Sequence, residues 1–399
     1  MKRIVIVGGS YGGLRALQAL ASHPDLHITL VDRHPYHFLQ TEGYDLIAGK
    51  VPFDETIVGL RSLCAGLGEK MTYLHAVAES VDTEKNQLLC EGGERLPYDY
   101  LIVAAGAVTR FLPTVEGLRS CSYGVKSLTG AFRLKQFFEA ELYRRLESAA
   151  NAKAHYSILV VGGGLSGVEI AAEMQAYFNR YYRSNALACG KLKIHLVSGS
   201  LLRGLPDGVV ARSRKRLQQL GVLLHVGTHL SRVESDRALL DDGREIPFDF
   251  MIYAGGIMAA PFVQSLPFEK NRLGQIEVDE YLRARGSKNV YVVGDAADLR
   301  DRRGRVVPPT AQSAEQSGTQ AAQNILRHMA GVPQQKADIR LRGLAIALGG
   351  YDAIIDAGAF RLYGPLAWLG KKAIEKSYKW PLKRIARKGF KKLKTCRQM

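Results

Sequence analysis

An α/β fold built from two copies of one strand–glycine turn–helix unit is what this sequence predicts, and three observations predict it. "IVIVGGSYGGLRALQAL" at residue 4 is echoed by "ILVVGGGLSGVEIAAEM" at residue 158. Each is a short β-branched run, a glycine turn, then an apolar pattern at helical spacing. "RLPYDYLIVAAGA" (95–107) is echoed in turn by "EIPFDFMIYAGGI" (245–257), so the lags, 154 and 150 residues, nearly coincide. Two ordered pairs at nearly one lag are far more specific than a single glycine-rich match. The third observation is composition: 41 glycines in 399 residues exceed the usual share of roughly 7%, and most fall where strands turn into helices.

Length and composition bound the rest. The chain is long enough for two or three domains with full cores. Hydrophobic residues make up 46% and charged residues 23%, ordinary for a soluble globular protein. Cys64, Cys90, Cys121, Cys189 and Cys396 form no C-x-x-C or C-x4-C pair. A metal ribbon, a thioredoxin-like dithiol and a disulfide framework are therefore not expected, and a reducing compartment fits. No run of 18 apolar residues occurs, so no membrane span is expected. "MKRIVIVGG" passes straight into the first strand, so no signal peptide is expected. The net charge of +17 is uneven: residues 365–399 hold 12 Lys/Arg against one acid, Glu375.

Each unit has the physics of a dinucleotide site. Glycines permit the tight turn, let backbone approach a pyrophosphate and allow close strand–helix packing, while the helix N-terminus attracts phosphate charge. The first fingerprint reads Gly8-x-Ser10-x-x-Gly13, with Ser in place of the middle glycine. Asp32 ends the next strand, 19 residues past Gly13, where a carboxylate can bind both ribose hydroxyls. The second fingerprint is complete: Gly162-x-Gly164-x-x-Gly167. Its strand-end acid is replaced by Ser198, with Arg203 a few residues on. A carboxylate repels a 2′-phosphate, whereas Ser with a nearby Arg can accept one. NADH and NADPH both stay open here, beside the reading that Ser198 merely turns the chain and Arg203 is solvated.

"NVYVVGDAADL" (289–299) closely resembles the second FAD fingerprint of two-dinucleotide-domain flavoproteins, and "DYLIVAAGA" (99–107) their strand returning from the interrupted FAD domain. "VVPPTAQSAEQSGTQAAQNI" (306–325) resembles the A-Q-x-x-x-Q segment of type II NADH:quinone oxidoreductases. So do "DRHPYHFLQTEGYDLIAGKV" (32–51) and "RGLAIALGGYDAIIDAGAFRLYGPLAWLGKK" (342–372), the latter like that family's segment before its membrane-anchoring tail. The resemblance covers essentially the whole chain, departing at Ser10 and Ser198. It implies FAD on the first unit and NADH or NADPH as substrate on the second. Residues 1–115 would open the FAD domain, 116–284 would form the inserted NAD(P) domain, 285–335 would complete the FAD domain, and 336–399 would be the C-terminal region.

The resemblance also implies roles. Gly294 and Asp295 would contact flavin, Asp295 through the ribityl chain, with Ala105 and Ala311 beside the cofactor. Glu169, two residues into the second helix, would lie in the hydride-transfer region; without the resemblance it reads as a helix-start acid favoured by the macrodipole. Gln312 and Gln316 sit four apart, on one helix face. Neutral amides suit a quinone carbonyl without charging an apolar channel, or they pack against flavin; Glu315 between them is expected to be solvated. Lys371 or Lys372 falls near a lysine of the family's quinone entrance. The implied activity is transfer of two electrons from NAD(P)H through flavin to a membrane quinone, without proton pumping, at the cytoplasmic face of a bacterial inner membrane. A homodimer stays open. Other classes remain: a sulfide:quinone oxidoreductase, which needs cysteines beside the flavin where only Cys121 is suitably placed, and a soluble ferredoxin- or rubredoxin-type reductase.

The basic tail reads as two amphipathic helices. In residues 366–379, Leu366, Leu369, Ala373, Ile374 and Tyr378 form a stripe with Lys371, Lys372, Lys376 and Lys379 largely off it. Pro381 would open a second helix, with Leu382, Ile385, Ala386, Phe390 and Leu393 opposite Lys383, Arg384, Arg387, Lys388, Lys391 and Lys392. A narrow apolar stripe under a cationic face suits an anionic lipid surface, here along residues 366–394, and Trp368 and Trp380 suit that depth. Nucleic-acid binding is not expected, because no base-reading element accompanies the charge.

Overall fold

The computed structural model describes residues 1–124, 126–147, 156–185 and 192–395, so Cys189 and Cys396 lie outside the described residues. Strand Lys2–Val7 runs into helix α1 (Tyr11–Leu20), then strand Leu26–Asp32, helices α2 (Gly43–Ile47) and α3 (Leu60–Leu67), and strands Met71–His75 and Tyr100–Val103. Helix α4 (Leu128–Glu147) leads to the second copy: strand Tyr156–Val161, helix α5 (Leu165–Asn185), strand Leu192–Ser198, helix α6 (Asp207–Leu220), and strands Leu223–Val226 and Phe250–Tyr253. The short helix α7 (Pro261–Ser265), strand Val290–Val292, helix α8 (Ala311–Met329), a three-strand antiparallel sheet (Leu344–Ala347, Ala353–Asp356, Arg361–Tyr363) and helix α9 (Gly364–Thr395) follow.

The first parallel sheet has the strand order 290–292, 100–103, 2–7, 26–32, 71–75. Its last-made strand comes from beyond the whole second unit, which is the interruption the sequence predicted. The second sheet is ordered 223–226, 192–198, 156–161, 250–253, again all parallel. Both are covered on both faces, so their strands are continuous apolar runs rather than alternating ones; Ile4, Ile6, Ile158 and Val160 are fully buried. The antiparallel ribbon Ala107–Thr109 with Ile257–Ala259 joins the two copies at equivalent positions.

The tail departs from expectation. It is one helix, α9, with Pro381 inside it rather than opening a second. An interior proline removes a helix hydrogen bond and crowds the carbonyl four residues back, so tertiary packing must offset the cost. Leu382 and Ala386 are buried against the first unit's core. Gly66 on α3 and Gly389 on α9 let the two backbones touch: a Cβ on Gly66 would fall 2.1 Å from the Ile385 carbonyl, and one on Gly389 1.8 Å from that of Ser62. The stripe expected to face lipid in this half therefore faces protein, except for exposed Phe390. In the first half Leu366, Leu369, Ala373 and Ile374 do point outward, while Tyr378 turns in.

Candidate active site

The first cradle is built as its spacing required. Gly8 sits at φ 109°, and a Cβ on Gly13 would lie 1.9 Å from the Gly8 carbonyl, so strand and helix touch there. Ser10 caps α1 without a side-chain hydrogen bond, and the first turn holds no acid. The helix-start N–H groups are thus left for an anion. Asp32 accepts the Gly9 N–H at 2.6 Å and the His34 N–H at 2.7 Å, tying the fingerprint turn to the loop after its strand. Ala105 is half-buried just past strand 100–103. Gly294, at φ 63°, donates its N–H to Ser317 Oγ at 3.0 Å, and Ala311 begins α8 behind a Thr310–Ser313 capping box. This cradle of bare amides fits a dinucleotide such as FAD. Asp295 pairs with Lys126 Nζ at 2.7 Å, a partner 169 residues away that sequence reasoning missed.

In the second cradle a Cβ on Gly167 would fall 1.8 Å from the Gly162 carbonyl, whereas one on Gly164 would meet nothing within 4 Å. The middle position is therefore open for a pyrophosphate to approach. Ser198 donates to the Ser200 carbonyl at 2.8 Å within its own turn. Arg203 is exposed and makes no ion pair with another described residue.

Glu169 is not a solvated helix-start acid. It is buried, and its Oε1 accepts the Ala347 N–H at 2.9 Å from the C-terminal sheet. Burial pushes its carboxyl up to about 7, with nearby Lys371 and the Ala347 N–H pulling the other way. Burial alone would lower Lys371, but Glu169, Glu375 and Asp45 hold it above its ordinary range, so it stays a cation. Lys371 pairs with Glu375; Lys372 bridges Glu375 at 2.7 Å and Asp45 at 2.5 Å; Lys50 reaches Glu173 at 2.5 Å and Asp45 at 3.8 Å. Further along, Lys379 binds Glu42 at 2.8 Å and Glu55 at 3.1 Å, and Lys383 binds Glu55 at 3.1 Å. Four lysines expected on an outer cationic face thus turn inward, toward the buried carboxylates Asp45, Glu42 and Glu375 and the partly exposed Glu55, since a buried carboxylate needs a partner. Beside them Tyr378 meets His37 Nε2 at 3.1 Å and packs 4.9 Å from the Tyr11 ring of the first fingerprint. Burial pushes His37 down to about 3, so it is neutral.

Gln312 and Gln316 share one face of α8 as expected, but both amides grip backbone. Gln312 donates to the Gly343 carbonyl at 2.9 Å and accepts the Arg342 N–H at 3.0 Å. Gln316 donates to the Arg340 carbonyl at 2.9 Å and accepts the Arg340 N–H at 3.0 Å. They hold the 340–343 segment leading into the C-terminal sheet, leaving each amide one N–H to spare. Glu315 is not merely solvated: Arg15 of α1 pairs with it at 2.6 Å, tying the two segments of the first unit together. Sequence spacing shows none of these partners. Cys64 and Cys90 are buried free thiols and Cys121 is a partly exposed one.

Comparison with known proteins follows the same lines. Residues 2–318 match the family described as pyridine nucleotide-disulphide oxidoreductase. The chain is 27% identical over 385 residues to demethylphylloquinone reductase NdbB of Synechocystis, covering 93% of this chain and 91% of that protein. It is 25% identical over 387 residues to the type II NADH:quinone oxidoreductase of Haemophilus influenzae, covering 89% and 86%. The fold is that of NDH2 from Plasmodium falciparum, solved in complex with NADH, at a TM-score of 0.84, 18% identity and 98% coverage of both chains. With the family match spanning both glycine cradles and the interrupted sheet, the chain belongs to the pyridine nucleotide-disulphide oxidoreductase family.

Proposed function

We propose that this protein is a flavin-dependent NAD(P)H:quinone oxidoreductase that works against a lipid surface. The observation that carries the reading is the buried Glu169, which reaches from the second cradle's helix to the C-terminal sheet and shares its field with Lys371 of α9. The relatives named above are a quinone reductase and an NADH:quinone oxidoreductase, which supports the same activity here. FAD, when bound, supplies a ring able to take up a hydride and pass on two electrons.

The chain's own residues do the rest. Gly8, Ser10 and Gly13 would hold the FAD pyrophosphate at the start of α1 and Asp32 its ribose, while Gly162, Gly164 and Gly167 would hold that of NADH or NADPH. Reduction of a quinone by NAD(P)H consumes one proton beyond the hydride. A carboxyl pushed up to about 7 and flanked by a fixed cation can hold and release that proton near neutral pH. Gln312 and Gln316 position the 340–343 segment and keep spare N–H groups for a carbonyl acceptor. No described helix is long and apolar enough to cross a membrane. The outward Leu366, Leu369 and Ile374, with Trp380 and Phe390, offer an apolar face beside exposed Lys376, Arg384, Arg387, Lys388, Lys391 and Lys392. Such a face suits an anionic bilayer in which the quinone dissolves.

The test is steady-state turnover of purified, FAD-loaded protein with NADH, NADPH or sulfide as donor and a short-chain quinone as acceptor. Quinone-dependent oxidation of a nicotinamide is the expected result. Oxidation of sulfide alone would favour the sulfide:quinone alternative, although Cys121 is the sole partly exposed cysteine among the described residues.

A further inference from the structure

At the carboxyl edge of the second parallel sheet, strands Leu192–Ser198 and Leu223–Val226 run side by side and in register, Ser198 opposite Val226. Ligands of open α/β sheets bind beyond this edge, and the residues just past the second strand meet the adenosine ribose. The two loops that leave these strands touch. Gly227 donates its N–H to the Ser198 carbonyl at 2.9 Å. A Cβ built on Gly199 would fall 2.2 Å from His229 Nε2, so the imidazole lies directly over the turn that carries Ser198. Gly163 of the fingerprint turn abuts the same place, its would-be Cβ 2.7 Å from Ser198 Oγ.

His229 is largely exposed yet fixed in place by Asp241. Its Nδ1 lies 3.2 Å from Asp241 Oδ2, and its N–H is bonded to Asp241 Oδ1 at 3.0 Å. Buried Thr228 donates to that same oxygen at 2.6 Å. A carboxylate only accepts, so Nδ1 carries a proton and Nε2 is the free atom, aimed across Gly199. No carboxylate stands at position 198 to oppose a second anion, and Arg203 is exposed on the same turn.

We propose that His229, oriented by Asp241, is the residue that recognises the 2′-phosphate of NADPH, with Arg203 as its second cation. The proposal rests on the nicotinamide-dependent reading above and names the donor for it. Neutral imidazole accepts from a ribose 2′-hydroxyl, and its protonated form donates a charge-assisted bond to a 2′-phosphate. Both nucleotides then bind, and NADPH gains most from His229.

The experiment compares wild type, His229→Ala and Arg203→Ala by two readouts. The first is steady-state kinetics with NADH and NADPH. His229→Ala should raise KM for NADPH by about tenfold and KM for NADH by clearly less, since only the neutral hydrogen bond to the 2′-hydroxyl is lost there. The second is calorimetric binding of 2′,5′-ADP against 5′-AMP, which needs no turnover. Wild type should prefer 2′,5′-ADP, and His229→Ala should lose that preference. Equal changes for both nucleotides, or a wild type that binds 2′,5′-ADP no better than 5′-AMP, would overturn the assignment. If neither nucleotide is oxidised yet 2′,5′-ADP still binds through His229, the redox reading fails and this site stands.

Discussion

Glu169 shows at the scale of one residue how burial becomes chemistry. Its carboxyl is raised from an ordinary 4.5 to about 7 by desolvation, so the neutral form is the one the fold prefers. Its contribution to stability is therefore full below about pH 4.5 and is lost as pH rises through 7, by on the order of 3 kcal/mol at full ionisation. Lys371 keeps its charge throughout that window. Glu169→Gln should flatten the fall in denaturation free energy between about pH 4.5 and 7; an unchanged pH profile would place the titrating group elsewhere. At the second cradle, Ser198→Glu should shift donor preference toward NADH, because a carboxylate there repels a 2′-phosphate. Relative kcat/KM values for the two nucleotides check it. What was legible from sequence is the geometry that depends on local spacing, such as the close strand–helix contacts Gly8–Gly13 and Gly162–Gly167. Asp45, Lys50 and Glu173 were not legible, because a buried charge is explained by its partner, and Lys372 lies 327 residues from Asp45.

At the scale of elements, α9 is the main lesson. Its 3.6-residue apolar stripes were visible in the sequence, but an apolar stripe does not say whether lipid or protein covers it. Gly66 and Gly389 decide the matter for the second half by admitting close backbone contact, and that contact also carries the helix through Pro381. Cutting the chain after Leu369 would strip Leu382 and Ala386 from the first unit's core, so it would not release an otherwise intact enzyme. Leu382→Ala should cost about 2–5 kcal/mol in chemical denaturation. Changing Leu366 and Leu369 to Ser should leave that stability near wild type and abolish cosedimentation with anionic vesicles at moderate salt. Persistent cosedimentation would remove this half of α9 from the lipid contact. Helix α8 gives the other element-scale expectation. Gln316→Ala releases one clasp on the 340–343 segment, so quinone reduction should slow while the nicotinamide half-reaction stays nearly intact. Stopped-flow traces of both half-reactions separate this from general damage, which would slow them together.

At the scale of the molecule, duplication was the strongest signal, and the fold repeats four parallel strands in the same order, down to the ribbon joining equivalent segments 107–109 and 257–259; among the described residues only strand 290–292 has no counterpart in the second sheet. The return of strand 290–292 to the first sheet was legible because its sequence ends in the glycine–aspartate pair at 294–295. The C-terminal layer was less so. Its strand 344–347 meets Glu169 only after the chain has crossed both units, and no local pattern announces that contact. In the proposed reaction one chain joins nicotinamide oxidation to quinone reduction across these layers. It is tested most directly by mixing FAD-loaded protein anaerobically with NADH or NADPH, following flavin absorbance, and then adding quinone. The absorbance is expected to bleach with nicotinamide and to recover stoichiometrically with quinone. Bleaching without recovery, or no bleaching with either nucleotide, would contradict it.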